Sequence, residues 1–313
     1  MADTGVESAA RAATARPGEP SSHAEDARRR LLRTMPVTER RLQIAGVSTA
    51  VLDGGKGPPV VLLHGPSAYA AHWLQVIPDL VTTHRVIAPD LPGHGASEVI
   101  DGALDAERVL AWLGDLIAQT CTTPPVLVGQ LLSGAIAARF ACDRGHRLSR
   151  LVLVDTFGLR PFQPAPEFGL ALQQFLAQPT EDTHRSLWRQ CAFDLDRLRR
   201  RMGDHWAPFE TYNLARARSP TVQAALSSLM ESFGMHTIPA DGLARIAVPT
   251  TLIWGRHDRA TPLSVAETAS AQFGWPLSVI ENCADDPPVE QPDALLRALH
   301  TAMSERWNQG ANA

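Results

Sequence analysis

The sequence predicts the α/β class, with a mostly parallel, doubly wound sheet and a helical insertion. Three observations carry this reading. Short apolar runs alternate with longer helix-period stretches from residue 40 onward. The runs are apolar almost throughout, as strands buried on both faces of a parallel sheet require. One span, from about 160 to 246, interrupts the alternation with helical spacing alone.

In chain order, residues 1–35 read as a disordered tail, because Ala, Arg, Glu, Ser and Gly dominate and almost no large apolar side chain precedes Leu31. Such a stretch buries too little to offset its ordering entropy. Met35-Pro36-Val37-Thr38-Glu39 reads as the natural start of the folded part, and Arg28-Arg29-Arg30 as a solvated charge run. Residues 40–53 have the pattern of a leading hairpin, left through Gly54-Gly55 and Gly57-Pro58-Pro59. Strands are expected at Val60–Leu63, Arg85–Ala88, Val126–Val128, Leu151–Val154, Thr251–Trp254 and Leu277–Ile280. Helices are expected at His72–Val81, Ala106–Thr120, Leu132–Arg144, Ser264–Phe273 and Pro292–Trp307. Within the insertion, helical spacing covers Phe168–Leu176, His184–Leu198 and Thr221–Ser232. The core is thus residues 36–159 and 247–313, and 160–246 forms a cap over the carboxyl ends of the strands, where open α/β sheets bind ligands.

Composition narrows the function. A chain of 313 residues with 44 % hydrophobic and 20 % charged residues builds one sizeable core. A net charge of −4 offers no electrostatic case for nucleic acid or an anionic membrane. No run approaches the roughly 18 apolar residues of a membrane span, and no apolar segment of a signal peptide follows the start. Cys121, Cys142, Cys191 and Cys283 lack zinc or redox spacing and read as reduced thiols in a cytoplasmic protein. No metal-ligand spacing supports a metal site, and no cofactor is expected.

Five motifs stand in a telling order: Leu62-Leu63-His64-Gly65 followed by Trp73; Asp90-Leu91-Pro92-Gly93-His94-Gly95-Ala96-Ser97; Val128-Gly129-Gln130-Leu131-Leu132-Ser133-Gly134; Gly255-Arg256-His257-Asp258; and Asp285-Asp286-Pro287-Pro288-Val289-Glu290-Gln291-Pro292. Together they resemble the α/β-hydrolase superfamily, nearest the group of epoxide hydrolases, haloalkane dehalogenases and small-molecule esterases, over residues 38 to 306. The resemblance implies the α/β-hydrolase fold, with a helical cap.

It also exposes three departures. The family's Gly-x-nucleophile-x-Gly turn puts Leu131 at the nucleophile position, and an alkyl group can neither attack carbon nor give a proton. Ser133 takes the place of the second small residue, so its hydroxyl should face backbone. The acid position is retained as Asp258, but the histidine position holds Asp285, and His257 reads as a solvent-facing loop residue. The family draws its oxyanion hole from the N–H of Leu132 and of the residue after His-Gly; that residue is Pro66, which has no N–H.

The triad is therefore degenerate, and acyl transfer is not expected. Asp258 and Asp285 should face one another, either as a proton-sharing pair or, as the plainer expectation, solvated or paired with Arg256 or Arg259. Pro66, Ser67, Tyr69, Gln130, Leu131 and Leu132 should line the binding site. Asp90, His94 and Asp155 read as structural, and Trp254 and Trp275 as core. The function expected is binding of a small, mostly apolar molecule between core and cap. The alternatives are a cofactor-independent lyase, cyclase or isomerase using Asp285 and Asp258, or a residual hydrolase acting through Asp-activated water. Partners are limited to such a small molecule.

Overall fold

The computed structural model describes residues 22–304. In chain order the elements are α1 (Ser22–Leu32), β1 (Thr38–Ile44), β2 (Val47–Gly54), β3 (Pro59–Leu63), α2 (Ile77–Leu80), β4 (Arg85–Pro89), β5 (Glu98–Val99), α3 (Ala106–Thr120), β6 (Val126–Gln130), α4 (Leu132–Arg144), β7 (Arg150–Val154). Then come α5 (Pro166–Ala177), α6 (Glu181–Cys191), α7 (Leu195–Met202), α8 (Trp206–Ala217), α9 (Pro220–Leu229), α10 (Ala240–Ala244) and β8 (Thr250–Gly255). The chain closes with α11 (Leu263–Phe273), β9 (Leu277–Ile280), α12 (Pro287–Glu290) and α13 (Pro292–Ser304).

The sheet runs β1-β2-β4-β3-β6-β7-β8-β9, with β5 on the edge of β2. Pairings from β4 through β9 are parallel, for example Val60 beside both Val86 and Val126, while β2 pairs antiparallel with β1, β4 and β5. The central strands are buried along their length, which is why their sequences are continuous apolar runs rather than alternating ones. Two apolar layers cover the sheet. One is built on Trp112, Leu116 and Phe140 from α3 and α4; the other on Trp73, Leu295 and Leu299. Between β7 and β8 the described chain forms helices only. Among the described residues no helix is long and apolar enough to cross a membrane.

Several boundaries depart from expectation, each for a local reason. The tail expected over residues 1–35 is helical from Ser22 to Leu32, and the rest of that expectation falls on residues outside those described. Ala24, Ala27 and Leu31 share one face of α1 and are buried. That face is small and mostly alanine, so hydropathy alone did not flag it. Arg28 is not a solvated charge either. Its guanidinium forks onto Glu39 at 2.8 Å through both nitrogens and lies 3.7 Å from the buried Asp90. The helix expected over His72–Val81 splits into a 3-10 turn, Ala70–Trp73, and α2. Pro78 has no N–H to continue a helix and instead opens α2. The stretch His184–Leu198 likewise breaks at Cys191, because the Asp194 side chain accepts the N–H of Arg197 at 2.9 Å and starts α7 anew. The stretch Thr221–Ser232 ends at Leu229, where a wider turn over Met230–Gly234 takes over.

Candidate active site

The elbow between β6 and α4 puts Leu131 at its tip with φ 49° and ψ −114°. A branched side chain rarely adopts that backbone region, and holding it there costs about 1–3 kcal/mol. Bonds on both sides of the turn enforce it. The Leu131 N–H donates to Val154 O at 2.9 Å, and its carbonyl accepts from Gly134, Ala135 and Phe157. Packing allows nothing larger on either flank. A Cβ on Gly129 would lie 2.5 Å from the Ser133 carbonyl oxygen, and one on Gly134 would lie 2.0 Å from Thr156 Oγ1. The Ser133 hydroxyl donates to the His64 carbonyl, so it faces backbone as expected.

Leu131 contributes to the wall of a cavity of about 180 Å³. The cavity lies between the carboxyl ends of β3 and β6 and the helices α5, α6, α8 and α9. Pro66, Ser67, Gln130 and Leu131 line it, as the sequence predicts. Two expected lining residues do not. Leu132 is fully buried in the core beneath the turn. Tyr69 is buried behind the wall, its ring 4.5 Å from that of Tyr212 and its hydroxyl without a partner. Phe157, Phe162, Phe168, Phe175 and Trp188, with Leu172, Leu187, Leu226 and Met230, make most of the remaining wall apolar.

Asp285 is also on the wall, 4 % exposed, with its Oδ1 buried and unpartnered. Asp258 sits behind it, 6 % exposed, where its Oδ1 accepts the N–H groups of Ala260 and Thr261, each at 2.7 Å. The expected pairing with arginine does not occur. Arg256 binds Glu281 at the surface, and Arg259 donates to the carbonyls of Arg189 and Gln190. Neither carboxyl is solvated. Burial, then the charges of Asp258, Asp286 and Glu290, hold Asp285 well above the usual carboxylate range. Burial, then the charge of Asp155, does the same to Asp258. His257 is exposed and lies against the ring of Phe193 at 4.5 Å, apart from both.

The sequence reading gave no role to Asp286, His72, Glu290 or His184, which lie around this site. Asp286 accepts from His72 Nε2 at 2.7 and 2.9 Å, and Gln130 Nε2 donates to Asp286 Oδ1 at 3.0 Å and to the Asp285 carbonyl at 3.2 Å. His72 lines the cavity, and its Nδ1 is buried without a partner. Asp155, read as structural, does anchor the N–H of Gly255 at 2.8 Å, yet it also belongs to the buried acid cluster through Asp258. Glu290 accepts the N–H groups of Phe193 at 2.6 Å and Ala284 at 2.8 Å, with burial raising it to about 7. The one available sequence signal was the doubled acid Asp285-Asp286, where a single imidazole is usual. At the far end of the cavity, His184 lies 3.3 Å from Asn213 Nδ2. Its Nδ1 is 3.3 Å from Glu210 Oε1, though not in hydrogen-bond geometry, and burial lowers this imidazole to about 4.

Asp90 and His94 are structural, as expected. Asp90 accepts the N–H groups of Ala70 and Ala96, and His94 Nδ1 bonds the Pro92 carbonyl. Trp254 and Trp275 are core residues.

The fold and the order of these loops find their match among known proteins. The profile of the alpha/beta hydrolase family covers residues 60–298, and the chain belongs to that family. It is similar to the 2-hydroxy-6-oxo-6-(2'-aminophenyl)hexa-2,4-dienoic acid hydrolase of Metapseudomonas resinovorans, 25 % identical across 86 % of this chain and 91 % of that one. It is also similar to a pimeloyl-[acyl-carrier protein] methyl ester esterase of Aeromonas hydrophila subsp. hydrophila, 27 % identical across 81 % of this chain and 98 % of the other. Among solved structures, the 2-hydroxy-6-oxo-6-phenylhexa-2,4-dienoate hydrolase of a Rhodococcus species superimposes with a TM-score of 0.75 at 25 % identity, covering 86 % of this chain and 99 % of that one.

Proposed function

We propose that this chain is a non-hydrolytic member of its family that holds a small, mostly apolar molecule between the sheet and the helices of residues 160–246. Its relatives are named as hydrolases and esterases; the departure is read from this chain's own residues. One observation carries it. The strained elbow is intact, but its tip is the hydrocarbon Leu131, and the position facing it for a general base holds Asp285. The turn that elsewhere aims a nucleophile here contributes apolar surface to a mostly apolar cavity, which suits a ligand held by burial. The degenerate triad, the absence of an N–H at Pro66 and the free thiols fit a small-molecule protein of a reducing, cytoplasmic setting.

A second reading has its own support. Asp285 is buried on the cavity wall with no cation paired to it among the described residues, and burial and the neighbouring acids push it toward the protonated form. Such a carboxyl acts as hydrogen-bond donor or general acid, as a cofactor-independent lyase, cyclase or isomerase would use. A fluorophosphonate probe and mass spectrometry of co-purifying small molecules test both. Both readings expect no covalent label, together with a bound apolar compound. Stoichiometric labelling, or ester cleavage that survives Asp285→Ala, overturns both. Ester cleavage lost in Asp285→Ala points instead to Asp-activated water.

A further inference from the structure

We propose that the cavity is selective for a protonated primary amine on a small aromatic or aliphatic body, with its ammonium docked on the Asp285 carboxylate. The inference rests on the binding reading above and names its ligand class.

The first ground is charge. Asp285 belongs to a buried set of acids, with Asp258 and Asp155 behind it and Asp286 and Glu290 beside it. Among the described residues lining the cavity there is no lysine or arginine. Among the described residues, the only basic group that meets this set through a side-chain hydrogen bond is His72, and its Nε2 is taken up by Asp286. Asp258 and Glu290 accept backbone N–H groups, and Asp155 accepts one as well. Asp285 alone lacks a side-chain partner while forming part of the wall.

The second ground is the geometry of that residue. Its main-chain carbonyl accepts from Gln130 Nε2 at 3.2 Å, and the residue as a whole is 4 % exposed. A buried acceptor without a donor is costly. An ammonium supplies three donors and a charge at once, and charge-assisted bonds are the stronger kind. The third ground is the wall itself. Phe157, Phe162, Phe168 and Trp188 line the same cavity, and aromatic faces attract cations. A carboxylate ligand would meet the opposite conditions, a like-charged cluster with no cation to receive it.

Docking makes and breaks no bond between heavy atoms; its one covalent change is the O–H bond of a carboxyl, whose proton passes to a buffer base. The amine enters as ammonium and keeps its protons, while the carboxyl set surrenders one proton to the buffer. The titratable groups facing Asp285 are Asp155, Asp258, Asp286, Glu290, His72 and Cys191. The ion pair is therefore read as proton release by the whole set.

The test is isothermal titration of the full chain near pH 7 with three ligands on one body: phenethylamine, phenethyl alcohol and hydrocinnamate. The amine should bind roughly tenfold or more tighter than the alcohol, and hydrocinnamate should not bind. In buffers of different ionisation enthalpy, the amine alone should release about one proton per site, as linkage requires. Asp285→Asn should reduce the amine to the affinity of the alcohol. If that variant does not fold, the buffer series on the unaltered chain decides. Hydrocinnamate or the alcohol binding as tightly as the amine, or amine binding without proton release, overturns the proposal. Failure of the amine to bind at millimolar concentration overturns it too. None of these outcomes touches the non-hydrolytic reading, which falls only to labelling or ester cleavage.

Discussion

The elbow carries Leu131 and the loop that faces it carries Asp285, and these two residues have opposite physical consequences. At the elbow, Leu131 keeps the positive φ and the backbone bonds to Val154, Gly134 and Phe157. Only the chemistry of the tip has changed, because backbone bonds and small flanking residues hold that turn whatever its side chain. At the facing loop, Asp285 brings in an ionisable group that must be accommodated, and the surroundings include Gln130, Asp286, His72 and a second shell of buried acids. A turn held by backbone bonds accepts a different side chain at its tip without visible adjustment. A buried charge leaves a signature in protonation and stability.

The largest expected effect couples the two regions. The double variant Leu131→Ser with Asp285→His should raise p-nitrophenyl acetate hydrolysis on the order of 10³-fold over the unaltered chain. That falls short of the roughly 10⁶ attributed to a full nucleophile and base, because Pro66 offers no N–H to the oxyanion. Steady-state rates of the double and both single variants check it. A single Leu131→Ser that performs as well would show that the facing loop plays no part.

A smaller effect isolates the elbow. Gly129→Ala should cost about 3 kcal/mol, the upper range for overpacking, because its Cβ would meet a backbone oxygen at 2.5 Å. Urea unfolding measures it, and a loss under about 1 kcal/mol would mean that the turn relaxes easily.

The smallest effect isolates the facing loop and depends on pH. The folded state holds Asp285 above its unfolded value, so its stabilising contribution is complete below the unfolded value near 3.8 and is lost as pH rises toward the folded one. Glu290 acts in the same direction between 4.5 and about 7. His184 acts oppositely: lowered from 6.5 to about 4, it loses its contribution as pH falls through that interval. Asp285→Asn should therefore stabilise the chain at pH 8 and change little at pH 4. Thermal melts at both values check the sign, and equal shifts would show that this carboxyl is not the group titrating.

The strands were legible in the sequence because central parallel strands must be apolar on both faces, and their bounds agree with the structure to within a residue or two. The helices α3 and α4 were equally legible, since Asp105 caps one and the small-residue turn opens the other. The residues at the elbow and histidine positions, Leu131 and Asp285, could be read from motif order alone. The helix α1 could not, because its buried face is made of Ala24, Ala27 and Leu31 and gains its value only against a partner surface.

What the sequence by itself determined is therefore the class of fold, the order of its strands and the chemical poverty of the elbow, because each follows from residue type and local spacing. Only the tertiary structure decided that His72 meets Asp286 across more than two hundred residues of chain, that Tyr69 and Leu132 lie behind the wall, and that Asp285 has no cationic partner. Those facts depend on which side chains are brought together and how far water is excluded, and neither quantity is encoded at any single position.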